Sequence, residues 1–484
     1  MDEAPTHARD HDLGLILRIQ GLRAFLYGFG SVLLGTVLAE QGLSGAEVGG
    51  VFTAMLAGMA IASAVIAVVG DRLGRRRAYA VLFVVMGAAG SVFAFTHWLP
   101  ALVIASLTGT ISTDPNESGP ITSLEQAMIG EAPSATRVRV FGRYNAIAYL
   151  AGSVGALAAG GPQAFRSVFP ALPANQRWLL AFPVVALACL WLTGRLSAAV
   201  EGASGSQRGG SERKKLRFES EGAERPPRRH RRPPLRSRRT IRRLAALFAV
   251  DSFGGGFIVQ SFLVFWFHRK YGASVELMGL VFFGAGLLQA ASSIVAARLA
   301  GWLGLLNVMV FTHLPSNVLL IAVPFAPNLT TAVVLLLCRF ALSQMDVPTR
   351  QGYLAAVVDP EERTAAAAYT NTARYATRPA GPVVGGALMQ RVALAAPFVA
   401  AGGLKIAYDL ALYALFRRIP LPAEGVASGE MPSERSPSER RPLEASPSER
   451  SSSEAPASPQ AEPPEPPLPP RTRSPERPPR PGPA

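Results

Sequence analysis

Gly70-Asp71-Arg72-Leu73-Gly74-Arg75-Arg76-Arg77 separates two apolar runs, roughly 46–69 and 78–96. A helix needs about 20 mostly apolar residues to cross a bilayer, and each run meets that length. Gly74 permits a tight bend, and the surrounding arginines favour the side of a membrane on which Lys and Arg are retained. The stretch reads as the turn of a membrane hairpin.

Working outward with the same ruler gives two groups of six spans. The first group is roughly 20–40, 46–69, 78–96, 100–123, 141–162 and 178–198, and the second is 244–267, 275–300, 304–326, 329–352, 364–390 and 394–416. The fold class expected is all-α integral membrane, two pseudo-symmetric six-helix bundles. Composition agrees, because 49% of the 484 residues are apolar and only 17% are charged, against about 25% charged in soluble domains. Cys189 and Cys338 sit inside apolar runs, which excludes a disulfide scaffold. Six scattered histidines offer no metal-ligand spacing, so neither a metal nor another cofactor is expected.

Positive charge sets the orientation. Arg72, Arg75, Arg76, Arg77, Arg137, Arg139, Arg143, Arg417 and Arg418 fall in loops on one side, with the basic linker. That side is expected to be cytoplasmic and to hold both termini of a multi-pass cell-membrane protein. The expected organisation is a polar segment 1–12, a bundle 13–200, a linker 201–243, a bundle 244–418 and a tail 419–484. Between Arg208 and Arg243 fifteen Lys/Arg stand against four Asp/Glu. The high overall charge thus belongs to one linker that can lie against anionic lipid, and no nucleic-acid partner is expected. The tail holds nineteen of forty prolines and repeats S-P-S-E-R at Ser436 and Ser446, a composition too poor in apolar surface to fold.

The two groups of spans resemble each other. Gly42, Glu47 and Gly50 match Gly272, Glu276 and Gly279; Asn145 and Tyr149 match Asn371 and Tyr375; Gln126 sits opposite Gln351. Duplicated bundles can rock about a central site and open it to one side at a time.

The 70–77 turn resembles the G-x-x-x-D-R-x-G-R-R signature of the major facilitator superfamily, with Ala67 where the leading glycine would stand. The resemblance covers about 20–416. It implies that Asp71, with Arg72, Gly74 and Arg75, forms a latch between the second and eleventh helices. Two departures bear on mechanism. The fourth helix lacks the arginine common in proton-coupled antiporters of the family, and the run Gly381-Pro382-Val383-Val384-Gly385-Gly386 lies in the eleventh helix rather than the fifth. Gly381, Pro382, Gly385 and Gly386 are therefore read as packing residues, since small residues let helix backbones approach closely.

Ionisable side chains inside a span are costly unless paired or wet, which makes them site candidates. The fourth helix carries Asn116, Glu117, Glu125 and Gln126, broken by Pro115, Gly119 and Pro120. The tenth carries Asp346 and Arg350 on one face, and the eleventh carries Asn371, Arg374 and Arg378 on one stripe. Tyr27 and Asp251 come from the first and seventh. Glu117, Asn116, Arg374, Arg378, Asn371, Asp251 and Tyr27 are expected along a substrate or proton pathway. Glu125, Gln126, Asp346 and Arg350 are expected at gates. Arg23 is read as reaching to the inner interface and His313 as structural.

Two chemistries remain open at this stage. A carboxylate, Glu117 or Glu125, can carry a proton as the cavity changes sides. Alternatively, the arginines can hold a carboxylate-bearing or otherwise anionic substrate. The function expected is a secondary active transporter of a small organic solute, working by alternating access as a monomer. Export is the expected direction, and protons are the candidate coupling ion. The alternative is a non-transporting receptor or scaffold of the same fold. No Walker loop, Ser/His pair or H-E-x-x-H run appears, and no enzyme activity or catalytic residue is expected.

Overall fold

Gly42 and Gly272 both take left-handed backbone, with φ of 74° and 65°. Two residues on, Ser44 and Ser274 each accept a hydrogen bond from the third backbone N–H of a 29-residue helix. Both helices end at a further positive-φ glycine, Gly74 (90°) and Gly304 (83°). One constant spacing relates all three pairs. The structure thus carries the repeat through two whole helices and shifts the register expected from sequence by one residue. Gly49, not Gly50, stands opposite Gly279, and Leu277, not Glu276, stands opposite Glu47.

The computed structural model describes residues 4–114, 119–130, 134–171, 174–201, 237–359 and 362–418. The N-terminal half comprises α1 (Ala4–Glu40), α2 (Gly45–Leu73), α3 (Arg75–Phe95), α4 in two pieces (Leu99–Leu107 and Pro120–Gly130), α5 (Ser134–Ala158) and α6 (Ala181–Gly194). The C-terminal half comprises α7 in two pieces (Arg238–Gly256 and Gln260–Tyr271), α8 (Val275–Leu303), α9 (Leu305–Ala322), α10 (Leu329–Ser343 and Asp346–Val357), α11 (Arg363–Thr377 and Ala380–Arg391) and α12 (Ala396–Phe416). No strand occurs among the described residues. The polar start of the chain is helical from Ala4, and Ser197 donates its backbone N–H to Asp12 at 2.9 Å, tying the start of α1 to the end of α6. The greater part of the linker and all but the first residues beyond α12 lie outside the described residues, so those expectations are untouched.

Nine helical stretches among the described residues are long and apolar enough to cross a membrane. The exceptions are α4, α5 and α11, whose lengths are broken or diluted by polar residues. Ile61, Val65 and Val68 on α2 point outward, and Trp302 at the end of α8 is 86% exposed. Arg23, Glu125 and Asp251 are buried. Apolar outside and charged inside is the arrangement a bilayer favours.

Glycines set the closest helix contacts. A Cβ on Gly28 of α1 would strike the carbonyl of Gly152 on α5, and one on Gly155 would strike that of Phe25. In the other half, Gly256 of α7 meets the carbonyl of Arg378 on α11, and Gly381 meets Phe253 and Gly256. The same seam is thus built twice. A second seam joins the halves: Gly49 of α2 lies on Pro382 and Gly386 on Gly45, while Gly279 of α8 lies on Ala156 of α5. Gln260 Nε2 to Ser31 Oγ (2.9 Å), Val383 N to Thr53 Oγ1 (3.0 Å) and Ala46 N to Gln390 Oε1 (3.2 Å) reinforce it. These contacts gather toward the Gly42 and Gly272 end. Toward the opposite end the first piece of α11 parts from α2, and a cavity of about 240 Å³ lies between them.

Candidate functional site

The break in α4 shapes the middle of the molecule. Gly109 takes φ of 66°, and a Cβ there would collide with the backbone of Gly58 and Met59 on α2. Non-helical backbone at this depth survives only where protein or water satisfies it, and protein does so here. The Tyr27 hydroxyl donates to Thr110 O at 2.8 Å, Ser112 Oγ donates to Asp114 O at 2.6 Å, and Ser261 N of α7 donates to Thr113 O at 3.2 Å. The Tyr27 hydroxyl is thus engaged at the break. Asn116 and Glu117 lie outside the described residues, as does the side chain of Asp71.

Glu125 is 0% exposed within the N-terminal half. It accepts from Arg23 Nη2, Tyr79 OH and Tyr144 OH, each at 2.6 Å. Arg23 also donates to Gln20. Arg23 is only 2% exposed, so it turns inward rather than reaching to the interface. The bonds that Glu125 makes stay inside its own half. Gln126, one residue on, does face the space between α2 and α11.

The C-terminal half carries the larger network. Asp251 of α7 accepts from Lys405 Nζ of α12 at 2.6 Å and from Arg350 of α10 at 3.4 Å. Arg350 also donates to Asp346 at 3.0 Å, the i,i+4 pair expected from their spacing. His313 of α9 sits against Asp409 of α12, with Nδ1 2.9 Å from Oδ1, and Asn317 Nδ2 donates to the same carboxylate at 3.0 Å. Sequence reasoning missed Lys405 and Asp409. Their signal was an i,i+4 pair of opposite charges in a run otherwise apolar enough to read as plain span.

Asp251, His313, Asp346, Arg350 and Lys405 border a second cavity of about 180 Å³. Its wall includes the cations Arg339, Arg350, Arg374, Arg378 and Lys405 and the carboxylates Asp114, Asp251 and Asp346. Arg378 also lines the 240 Å³ cavity with Asn371 and Tyr375. Among the described residues five cations face three acids, a surplus of positive charge along this wall. Asp251 and Asp346 are already engaged by Lys405 and Arg350. Guanidinium groups on α11 at such a wall suit a planar anionic group.

At the Gly74 turn the Glu201 carboxylate accepts the backbone N–H of Arg75 at 2.6 Å and of Arg76 at 3.3 Å. A carboxylate there satisfies orphan donors at the positive end of α3. Arg72 is exposed. Gly385 packs on the backbone of Phe257, so that Gly381, Pro382, Gly385 and Gly386 all lie in seams.

A family model described as Major Facilitator Superfamily matches residues 20–378. The uncharacterized membrane protein YJR124C of Saccharomyces cerevisiae is 25% identical over 430 residues, covering 84% of this chain and 94% of that protein. Among solved structures, the nucleoside transporter NupG is similar with a TM-score of 0.63 at 13% identity, over 84% of this chain and 100% of its own. The xylose transporter XylE from E. coli, in an inward open conformation, gives 0.60 at 15% identity over 85% and 98%.

Proposed function

The chain belongs to the major facilitator superfamily, and from that premise we propose that it is a secondary active transporter whose substrate is a small organic anion. The observation that carries this reading is the surplus of cations among the described residues, with Arg374 and Arg378 from α11, around a cavity where two bundles joined by glycine seams toward one end meet. The seams at the Gly42 and Gly272 end and the cavity toward the Gly74 end support alternating access, being what one of its two states requires. The distribution of arginine supports a cytoplasmic Gly74 end in the cell membrane, with the cavity facing inward. An inside-negative potential then favours outward movement of an anion by about 2.3 kcal/mol per charge per 100 mV, and export is the direction proposed.

The test is flux in vesicles reconstituted with the full chain, using a panel of labelled mono- and dicarboxylates beside neutral analogues of the same size. Anions should show saturable movement that neutral analogues lack. Arg378→Ala should raise the half-saturation concentration about 10- to 100-fold, as loss of a charged hydrogen bond does. Equal flux of neutral analogues, or an unchanged half-saturation concentration, overturns the assignment.

A further inference from the structure

Asp409 differs from the other acids of the C-terminal network. Asp251 has Lys405 at 2.6 Å and Asp346 has Arg350 at 3.0 Å. Asp409 is 0% exposed, and its hydrogen-bond partners are His313 and Asn317. A buried carboxylate without a cation is expensive. Among the described residues the neighbour in direct contact that can supply positive charge is an imidazole, a group whose unperturbed form changes charge between about pH 5 and 8. With one proton the pair is neutral, whether as imidazolium with carboxylate or imidazole with carboxylic acid. Without that proton it leaves a negative charge in the interior.

We propose that the His313–Asp409 pair is a proton-binding site linked to occupancy of the cavity; the linkage rests on the transport reading above, whereas the proton binding does not. His313 itself borders the cavity, which gives the proton a route. The groups facing it are few. From α12 come Asp409, Lys405 and Tyr408, whose ring centroid is 6.1 Å from that of His313. From α7 comes Asp251, 4.0 Å from His313 Nε2. From α10 come Arg339, Arg350 and Asp346 along the same wall, and α8 brings uncharged Gln289. An anion beside these cations favours the protonated pair, and by reciprocity the proton favours the anion by the same factor.

Infrared difference spectra of the reconstituted, unliganded full chain between about pH 5 and 8 test the site. One imidazole-plus-carboxyl component of the bands should change with pH beyond that of the exposed histidines, and His313→Gln or Asp409→Asn should remove that component while the exposed His97→Gln keeps it. Should a variant fail to fold, nitrogen-15 labelling of histidine in the wild-type chain gives the same reading, as one ring titrating apart from the exposed ones. A wild-type chain lacking any such ring, or variants that leave the bands intact, overturns the site. The second arm measures flux of a transported carboxylate as pH falls on the cavity side. A rise that His313→Gln abolishes supports linkage, and flux indifferent to pH overturns linkage while leaving transport standing. No anion flux at all overturns the transport reading and the linkage, and the spectra still decide proton binding.

Discussion

Arg23 and Glu125 form an ion pair of 2.6 Å between α1 and α4, and the other half repeats it with the charges exchanged. Asp251 on α7 occupies the place of Arg23, and Arg350 on α10 occupies that of Glu125, at 3.4 Å. The first pair is closed off by Tyr79 and Tyr144, whereas the second borders the cavity. The duplicated scaffold thus holds the two pairs in different settings, one a sealed brace and the other at a cavity wall.

The brace should be costly to break and cheap to replace. Glu125→Gln leaves Arg23 buried beside a neutral group, a loss of about 3–5 kcal/mol. Thermal melting of the detergent-purified chain should show a lower midpoint. Combining Arg23→Met with Glu125→Leu should recover most of it, because the uncompensated charge is gone.

Glycines of the two seams should respond differently. Gly386→Val pushes α11 off Gly45 of the other half and should penalise the state sealed at that end by about 1–3 kcal/mol. Spin-label distances across the Gly42 and Gly272 loops should lengthen. Gly28→Val strains α1 against α5 within one half, so it should lower the melting midpoint and leave the ratio of the two states near its original value.

At the cavity, Arg374→Lys keeps the charge but removes the planar fork. Half-saturation for a carboxylate should rise about tenfold, less than for Arg374→Gln, while maximal flux falls little. Equal effects of the two substitutions would mean that only charge is read.

Glu201→Ala should uncap α3. Losing a capping side chain costs about 0.5–2 kcal/mol, visible as a modest drop in melting midpoint. Glu201→Gln should fall in between, since an amide oxygen still accepts the Arg75 and Arg76 N–H groups.

Helix count and order were legible because bilayer length is a coarse and forgiving ruler. The break in α4 was legible too, announced by Gly119 and Pro120. The break in α7 was passed over although Gly254-Gly255-Gly256 stands immediately before Phe257-Ile258-Val259, because the hydropathy window reads straight through it. Arg23 was misplaced for a related reason. Its partner lies 102 residues away, and a side chain with a long apolar stem looks the same in sequence whether it reaches out or turns in. Lys405 and Asp409 were passed over because hydropathy averages over a window and two opposite charges four apart barely lower the mean. Glu201, at the edge of the linker, gave no sign that it caps α3.

The glycine seam between the halves consists of main chain against main chain, with hydrogen bonds beside it that are neutral apart from Arg269 Nη1 to Leu43 O at 3.3 Å. Dissolved ions screen charges but hardly affect such contacts. Parting this end, where a single guanidinium meets a neutral carbonyl, should therefore depend only weakly on ionic strength, so most salt sensitivity of the cycle should originate at the arginine-rich cavity wall.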